Sequence, residues 1–305
     1  MVIPRCVLVM PTYQSATYIN QLFASLTMQS IQIPILIIDS SSTDGSLEKW
    51  QDLGVKTHVI PKAEFNHGKT RQLALNLVDA DIYIYLTQDA ILADTNTLEN
   101  IISAFNNPEI GCAYGRQLPH EGAGLLGAHL RSFNYPEKSD LRSINDVERL
   151  GIKTCANSNS FAAYRKTALV QIGGFPDRVI MGEDIIAAAK MLKAGWKIYY
   201  CAESRVFHSH DYSVMQDFKR YFDIGVFHQE EHWILDLFKS PQKLGASYVK
   251  SEINFCLKYK KSGMIFISLI HSGMKYLGYH LGRKYKLLPL WLRQKFSMHK
   301  FYWDI

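Results

Sequence analysis

Four side chains are of types, and at spacings, that suit metal-assisted transfer chemistry: Asp89, Asp184, His208 and His210. Asp89 lies in the segment LTQDA, which directly follows the apolar run DIYIY. Carboxylate oxygen suits Mg²⁺ or Mn²⁺, whereas imidazole suits zinc better than manganese. Asp89 therefore predicts a site for Mg²⁺ or Mn²⁺. Either histidine could add a ligand, and either could instead be hydrogen-bonded near the surface.

Two adjacent acids, Glu183 and Asp184, precede the apolar helical pattern IIAAAKMLKAG. Acidic residues are common at the start of a helix, because they interact favourably with the helix dipole. A carboxylate at this position could alternatively act as a general base that takes a proton from an attacking hydroxyl. The residues alone leave both interpretations open.

Further polar residues follow predicted strands and could hold a nucleotide. Asp39 could accept the N–H of a pyrimidine base, or it could cap the turn before SLEKW. Asp44 could contact a ribose or a base, or it could hold a turn, and Thr12 also ends a strand. Gly68 permits close approach of the backbone before a helix, and Arg71 could meet a phosphate with two hydrogen bonds or lie on the surface.

The elements that must position these residues alternate between strand and helix. The apolar runs CVLVM, IPILII and DIYIY predict buried strands, and ATYINQLFASLTMQ and GKTRQLALNL have helical periodicity. Such alternation predicts an α/β fold with a mostly parallel, mixed sheet and helices on both faces. Ligands of such sheets bind at the carboxyl ends of the strands, which is where the polar residues fall.

Composition excludes several classes of protein. The chain has 305 residues, of which 47% are hydrophobic and 20% charged, so it can build a globular core. Its five cysteines are scattered, which excludes a disulfide scaffold and favours a reducing, cytoplasmic location. The short apolar start is unlike a signal peptide. No G-x-G-x-x-G follows the first strand, which counts against a dinucleotide-binding oxidoreductase.

Residues 241–305 form a basic, aromatic-rich tail. They contain twelve Lys and Arg against Glu252 and Asp304, a net charge of 12 − 2 = +10, whereas the whole chain carries +6. No nucleic-acid motif accompanies these charges, so we predict no nucleic-acid partner. Residues 263–282 are interrupted by His271, Lys275 and His280, which favours an amphipathic helix over a membrane span. Contact with the inner-membrane surface or packing in an oligomer would both fit.

The order of the motifs IIDSSSTDGS, HGKTRQLAL, LTQDA and GED resembles the inverting GT-A glycosyltransferases of family 2. The segments GRQLP, NSNSFAAYRK and HSHDYS are similar to those of the bacterial rhamnosyltransferase branch. The resemblance covers about residues 5–215. It implies a GT-A catalytic domain over residues 1–215, followed by a helical C-terminal extension over residues 216–305. Within the domain, the nucleotide-sugar half would be about 1–115 and the acceptor half about 116–215.

The resemblance also implies roles for the candidate residues. Asp184 would be the catalytic base, and Glu183 would support it or touch the acceptor. Asp89 would bind the metal, with His210, or alternatively His208, completing the site. Nucleotide contacts would come from Thr12, Asp39, Asp44, Gly68, Arg71 and Gln88, although Gln88 lacks the charge of the usual first aspartate. The donor sugar or acceptor would contact Arg116, Gln117 and Asn157.

The implied reaction moves L-rhamnose from dTDP-β-L-rhamnose to a hydroxyl of a polyprenyl-linked surface glycan, with an α-linkage as product. Such an enzyme would work in the cytoplasm, peripherally at the inner membrane. A UDP-hexose donor is an alternative with the same fold and mechanism, since Asp39 would accept either pyrimidine. The uncharged Gln88 and the basic tail leave a non-catalytic binding protein as a further alternative.

Overall fold

A computed structural model describes residues 4–239 and 242–304, and within them one mixed sheet of nine strands forms the centre of the molecule. The strands are β1 Cys6–Thr12, β2 Ile35–Asp39, β3 Lys56–Val59, β4 Ile82–Leu86, β5 Ile91–Leu92, β6 Ile110–Leu118, β7 Asp140–Arg142, β8 Phe161–Arg165 and β9 Lys197–Phe207. Their order is β3-β2-β1-β4-β8-β6-β9-β5, and β7 pairs with β9 beside this path. The mixed α/β sheet agrees with the predicted fold class.

Thirteen α-helices are present in the same described part of the chain. They are α1 Ile19–Thr27, α2 Ser46–Asp52, α3 His67–Leu77, α4 Thr97–Ser103, α5 Leu125–Asn134, α6 Val147–Leu150, α7 Lys166–Gln171, α8 Glu183–Lys193, α9 Val214–Glu230, α10 His232–Phe238, α11 Gln242–Lys258, α12 Gly263–Arg283 and α13 Leu290–Phe296. Two large hydrophobic clusters, one on each face of the sheet, include residues of these helices. This arrangement follows from strands that are apolar at every position, since such strands must be covered on both sides.

The first four strands in the sheet order are parallel, and their carboxyl ends lie at one edge. Thr12, the last residue of β1, is in register with Asp39, the last residue of β2. Asp39 is in turn in register with Val59 of β3, and β4 runs parallel to β1 on the other side. The polar residues at the strand ends therefore meet at this edge, as the sequence pattern predicted.

The other half of the sheet is built differently. Strand β8 runs antiparallel between β4 and β6, and β6 is parallel to β9. Consecutive side chains of a strand point to opposite faces, so Arg116 and Gln117 of β6 face away from each other. The histidines predicted at a strand end follow β9 directly, in the loop before α9.

The C-terminal helices share a core with the sheet. Phe222, Val226 and Phe227 of α9, together with Tyr285 and Trp303, belong to the same cluster of buried residues as β1 and β4. The predicted boundary at residue 215 falls within the first turn of α9 and stays a prediction. Among the described helices, none is long and apolar enough to cross a membrane.

Candidate active site

Asp89, His208 and His210 form a compact triangle of potential metal ligands. The Oδ2 atom of Asp89 lies 3.4 Å from Nε2 of His208 and 3.5 Å from Nε2 of His210. The two Nε2 atoms are 3.2 Å apart. Asp89 follows β4, and both histidines follow β9, so the sheet brings together residues that are about 120 positions apart in the sequence. The structure thus places both histidines, and not one of them, beside Asp89.

The hydrogen bonds around His208 orient its free nitrogen toward Asp89. Nδ1 of His208 lies 2.9 Å from Oε1 of Gln117, and Arg131 donates to the same oxygen. An amide oxygen only accepts, so Nδ1 of His208 is the donor and Nε2 of the neutral ring carries the lone pair. Gln117 and His208 are both buried, which holds the ring in this orientation. Gln117 therefore fixes the orientation of one member of the triangle.

The electrostatics of the triangle favour a cation. Burial alone would raise the pKa of Asp89, but the neighbouring His208 and the hydroxyl of Thr87 outweigh burial and hold that pKa well below its usual value. Burial, with a smaller contribution from the neighbouring His208, lowers the pKa of His210 to about 4, so this ring is neutral at pH 7. Three lone-pair atoms on edges of 3.2–3.5 Å are spaced as the ligands of one divalent ion, whose bonds are roughly 2.0–2.2 Å long. The residues therefore fit a divalent metal.

Asp184 lies at the N-terminus of α8, immediately after Gly182 and Glu183. Gly182 has φ of 82°, a left-handed conformation that favours glycine and turns the chain sharply into the helix. One carboxylate oxygen of Asp184 accepts from the backbone N–H of Asn159 at 3.0 Å and the other from Ile185 at 2.8 Å. The side chain is half-buried. Burial, and then the neighbouring charge of Glu183, raise the pKa of Asp184 to about 7.

Glu183 points the other way, into a buried ion pair with Arg71. Nη1 of Arg71 lies 3.1 Å from Oε1 of Glu183, and both side chains are more than nine-tenths buried. Burial would raise the pKa of Glu183, but the charges of Arg71 and His67 outweigh it and lower that pKa. The amide of Asn159 donates to the same Oε1 at 2.9 Å. Glu183 therefore stays ionised and raises the pKa of its neighbour.

The segment Ser158–Asn159 connects the triangle of potential metal ligands to Asp184. The amide of Gln117, which holds His208, donates to the hydroxyl of Ser158 at 2.9 Å. The next residue, Asn159, binds both Asp184 and Glu183. The two chemical centres are therefore linked through two adjacent residues and face the same end of the sheet.

Asn157 lies on the same segment and belongs to a buried network. Its amide donates to the hydroxyl of Tyr164 at 2.7 Å, and that hydroxyl donates to the side chain of Asn159 at 2.6 Å. Its side-chain oxygen has no hydrogen-bond partner among the described residues. Asn157 was predicted to touch the donor sugar or the acceptor, which stays a prediction, and the network connects it through Tyr164 and Asn159 to Asp184.

Asp39 is fully buried at the end of β2. Its carboxylate accepts hydrogen bonds from the hydroxyl of Thr12 at 3.0 Å and from the backbone and hydroxyl of Ser42 at 2.7 and 2.6 Å. A carboxylate offers about four acceptor positions, so about one remains. In this structure Asp39 holds the turn after β2, one of the two roles considered above, and its contact with a base stays a prediction.

Asp44 and Gln88 also hold loops together at this edge. Asp44 accepts from the backbone N–H of Ala16 at 2.9 Å and of Ser46 at 3.1 Å. The amide of Gln88 both accepts from and donates to the backbone of Tyr13, at 2.8 and 3.0 Å. Gln88 is consequently occupied by the loop after β1 and does not join the metal triangle.

Three predicted contacts have a different environment from the one expected. Arg71 was expected to face a phosphate, but its guanidinium is buried against Glu183. Gly68 does permit close backbone approach, but the backbone it meets is that of Pro176. Arg116 was expected beside the sugar, but it is paired with Glu137 at 3.1 Å on the opposite face of β6 from Gln117. The contact of Arg116 with a sugar stays a prediction.

Ser158 and Asn159 belong to the motif NSNSF, one of the segments that resemble the rhamnosyltransferase branch. Sequence reasoning missed Arg131 as a part of the site. It also missed His299, whose ring packs against that of His67 at 5.2 Å. No local pattern relates His299 to α3, so that contact could only be found in three dimensions.

Solved structures support the fold. The mannosyltransferase PcManGT from Pyrobaculum calidifontis, in complex with GDP-Man and Mn²⁺, matches all of this chain and 86% of its own, with a TM-score of 0.60 and 15% identity. S. aureus TarS in complex with UDP matches 92% of this chain and 91% of its own, with a TM-score of 0.55 and 15% identity. These similarities show a GT-A-like fold.

Two curated relatives are much closer in sequence. The O-antigen chain rhamnosyltransferase RfbN of Salmonella typhimurium is 43% identical over 303 residues, covering 98% of this chain and 96% of the relative. The O-antigen chain rhamnosyltransferase WbaN of Salmonella anatum is 44% identical over 304 residues, with 99% and 96% coverage. The family model for glycosyl transferase family 2 matches residues 7–173. This chain therefore belongs to glycosyl transferase family 2.

Proposed function

We propose that this chain is an inverting rhamnosyltransferase that moves L-rhamnose from dTDP-β-L-rhamnose to a hydroxyl of a lipid-linked surface glycan. The observation that carries the proposal is the link between the Asp89–His208–His210 triangle and Asp184 through Ser158 and Asn159. The triangle suits the diphosphate of a donor, and the base suits the hydroxyl of an acceptor. The rhamnosyl group is inferred from the relatives named above.

Asp184 acts as the general base in this reaction. Its carboxylate takes the proton from the acceptor hydroxyl while that oxygen forms a bond to C1 of the sugar. The bond from C1 to the phosphate oxygen breaks on the far face, so the β-linked donor gives an α-linked product. A base pKa of about 7 suits this task, because the group is partly ionised at neutral pH and still accepts a proton readily.

Asp89, His208 and His210 would hold a divalent metal, Mg²⁺ or Mn²⁺. When bound, such an ion would supply positive charge that neutralises the departing diphosphate, so the protein would need no second acid. Gln117 keeps the lone pair of His208 directed into the site.

The remaining predicted contacts concern the ends of the two substrates. We propose that the loops around Thr12, Asp39 and Asp44 receive the pyrimidine nucleoside and that Asn157 borders the acceptor. The lipid anchor of the acceptor would bring the enzyme to the cytoplasmic face of the inner membrane as a peripheral protein. We keep residues 1–215 as the proposed catalytic domain and residues 216–305 as its helical extension.

Donor turnover tests the proposal. The purified chain is incubated with Mn²⁺ or Mg²⁺ and, separately, with dTDP-rhamnose, UDP-glucose, UDP-galactose and UDP-N-acetylglucosamine, with and without a lipid-linked acceptor. We expect release of dTDP only from dTDP-rhamnose and its loss on addition of EDTA. Release from a UDP-sugar instead would overturn the rhamnose assignment and leave the mechanism intact.

A binding protein without activity is separated from an enzyme by a matched pair of variants. Asp184→Asn removes the base, and Asp177→Asn changes an exposed aspartate in the preceding loop. We expect turnover to be lost in the first variant only, with binding of dTDP and Mn²⁺ kept in both. Binding of donor with no turnover in the wild-type chain, for any acceptor offered, would favour the non-catalytic alternative.

A further inference from the structure

Helix α12 is oriented with its polar side inward and its apolar side outward. Ser268 donates to the buried Glu252 on the inner side, and Nδ1 of His271 lies 2.6 Å from Oδ2 of Asp217. Lys275 approaches the same carboxylate at 3.5 Å. A helix on the surface of a water-soluble protein normally has the reverse orientation.

The outer side of α12 carries a stripe of exposed apolar side chains at helical spacing. We call this stripe the outer face; it consists of Phe266, Leu269, Ile270, Tyr276 and Leu277. Phe266 is 71% exposed and Tyr276 69%. Such a continuous patch of large apolar side chains marks an interaction site, since single exposed residues are common and stripes are not.

The helix cannot rotate to bury this face, because glycines fix its inner side against α9. A Cβ on Gly278 would overlap the carbonyl of Phe218, and one on Gly282 would overlap that of Phe222. Gly225 of α9 meets the backbone of α12 equally closely. Backbones at this separation interlock, so the outer face stays exposed unless something covers it.

Lysines flank α12 on both sides in the sequence. α12 itself contains no Asp or Glu. Lys258 and Lys261 precede it and Lys284 and Lys286 follow it, all exposed. Exposed Leu287, Leu290 and Trp291 extend the apolar surface beyond the end of the helix. Apolar residues with an aromatic anchor and flanking lysines are the pattern of helices that lie in the interface of an anionic bilayer.

We propose that the outer face of α12 docks on a bilayer surface that contains anionic lipids, with the helix parallel to the membrane plane. The charge of this region selects lipid over a second copy of the chain. The net charge of residues 241–305 is 12 − 2 = +10, so two such faces would repel each other. A headgroup layer, in contrast, offers negative charge to the lysines and an apolar layer to the outer face. This inference rests on the proposed function for its setting, since a lipid-linked acceptor lies at such a surface.

Sedimentation with vesicles of phosphatidylethanolamine and phosphatidylglycerol, compared with pure phosphatidylcholine, tests the proposal on the full chain. We expect the wild-type chain to sediment with the anionic vesicles and to be released progressively by salt. Replacing two residues of the outer face, Phe266→Ser with Leu277→Ser, should weaken the partition by roughly tenfold or more. The matched control, Met28→Ser with Val170→Ser, removes two equally exposed apolar residues from the catalytic domain and should bind as the wild type does.

A charge-reversal pair tests the electrostatic half of the proposal. Lys258→Glu with Lys261→Glu should reduce binding to anionic vesicles, and Lys49→Glu with Lys193→Glu, elsewhere on the surface, should reduce it much less. Thermal unfolding and gel filtration confirm that each variant is folded. A wild-type chain that stays in the supernatant with anionic vesicles at low salt overturns the proposal. So does a wild-type dimer that the outer-face variant converts to a monomer, because a second copy then covers this face.

The vesicles contain neither donor nor glycan, so the result does not depend on the proposed reaction. An enzyme that turns over a water-soluble acceptor but does not bind vesicles would overturn the docking surface alone. A chain that binds vesicles but shows no transfer to any acceptor would overturn the proposed function alone.

Discussion

Two partly buried aspartates of this enzyme, Asp89 and Asp184, have pKa values that are shifted in opposite directions. Both are removed from bulk water, and burial by itself raises the pKa of each. Beside Asp89 stand two imidazoles and the hydroxyl of Thr87, which together outweigh burial and lower the pKa. Beside Asp184 stands the ionised Glu183, which adds to burial and raises the pKa to about 7.

The difference shows that the neighbours of a buried carboxylate decide whether its pKa lies below or above the ordinary value. Arg71 is part of this arrangement, because its ion pair with Glu183 offsets the free energy of burying that carboxylate. Glu183 can therefore stay ionised next to Asp184. The site thus contains one carboxylate with a lowered pKa, which suits binding a cation, and one with a raised pKa, which suits accepting a proton.

The largest expected effect is the loss of the base. Asp184→Asn should lower turnover by roughly a thousandfold or more, because an amide cannot take the proton from the acceptor. The affinity for dTDP with Mn²⁺ should stay close to that of the wild type, as calorimetry would show. A variant that retains a tenth of wild-type turnover would mean that a different group is the base.

Loss of the metal carboxylate should have the next largest effect. Asp89→Asn removes the charge of the triangle, so we expect the Mn²⁺ concentration that supports half-maximal activity to rise by roughly ten- to a hundredfold. Titration of Mn²⁺ in the turnover assay measures this directly. An unchanged titration would show that the triangle is not the metal site. Asp89 would then not be a metal ligand, and its comparison with Asp184 would fail.

A smaller effect is expected one step away from the metal. Gln117→Leu removes the acceptor that orients His208 and should weaken Mn²⁺ affinity by about tenfold, with the metal ligands all present. Gln117 also accepts a hydrogen bond from Arg131, so the Tm of the variant must be measured to show that it is still folded. If metal affinity does not change in a folded variant, packing alone orients the ring.

The acid limb of the pH–rate profile tests the other side of the comparison. Asp184 must be ionised to act, so activity of the wild-type enzyme should rise with pH through about 7. Glu183→Gln removes the neighbouring negative charge and should move this limb to lower pH. The limb should stay in place in the exposed control Asp177→Asn, and a limb that does not respond to Glu183→Gln belongs to another group.

The smallest expected effect concerns stability. A folded pKa above the ordinary value means that ionising Asp184 costs folding free energy, so its stabilising contribution is complete at low pH and is lost as pH rises through about 7. Asp184→Asn should therefore match the Tm of the wild type near pH 4 and exceed it by a few degrees at pH 8. A variant that is less stable at pH 8 would indicate that its two backbone hydrogen bonds outweigh the electrostatic strain.

The positions of Asp89 and Asp184 could be predicted from sequence because each is fixed by a local pattern, a strand end or a helix start. The pairing of Arg71 with Glu183 could not, since more than a hundred residues separate them and Arg71 is unremarkable within α3. That Arg116 and Gln117 point to opposite faces of the sheet follows from the strand period, because consecutive side chains of a strand alternate. The inward polar face of α12 depends on Asp217 and Glu252, which no helical pattern of α12 reveals.

The close packing of α12 on α9 would also determine how far the candidate site lies from a membrane to which the outer face is bound. A helix of 21 residues is about 30 Å long, so docking through its outer face is contact along a line and restricts the tilt of the whole molecule. Helix α9 begins within four residues of His210, so the interlocked pair would hold the metal ligands at a constant height above the bilayer. The enzyme would then favour acceptors whose terminal sugar lies at that distance from the bilayer. Comparing lipid-linked acceptors with one, two or three sugars would reveal such a preference, and uniform rates on membranes would exclude it.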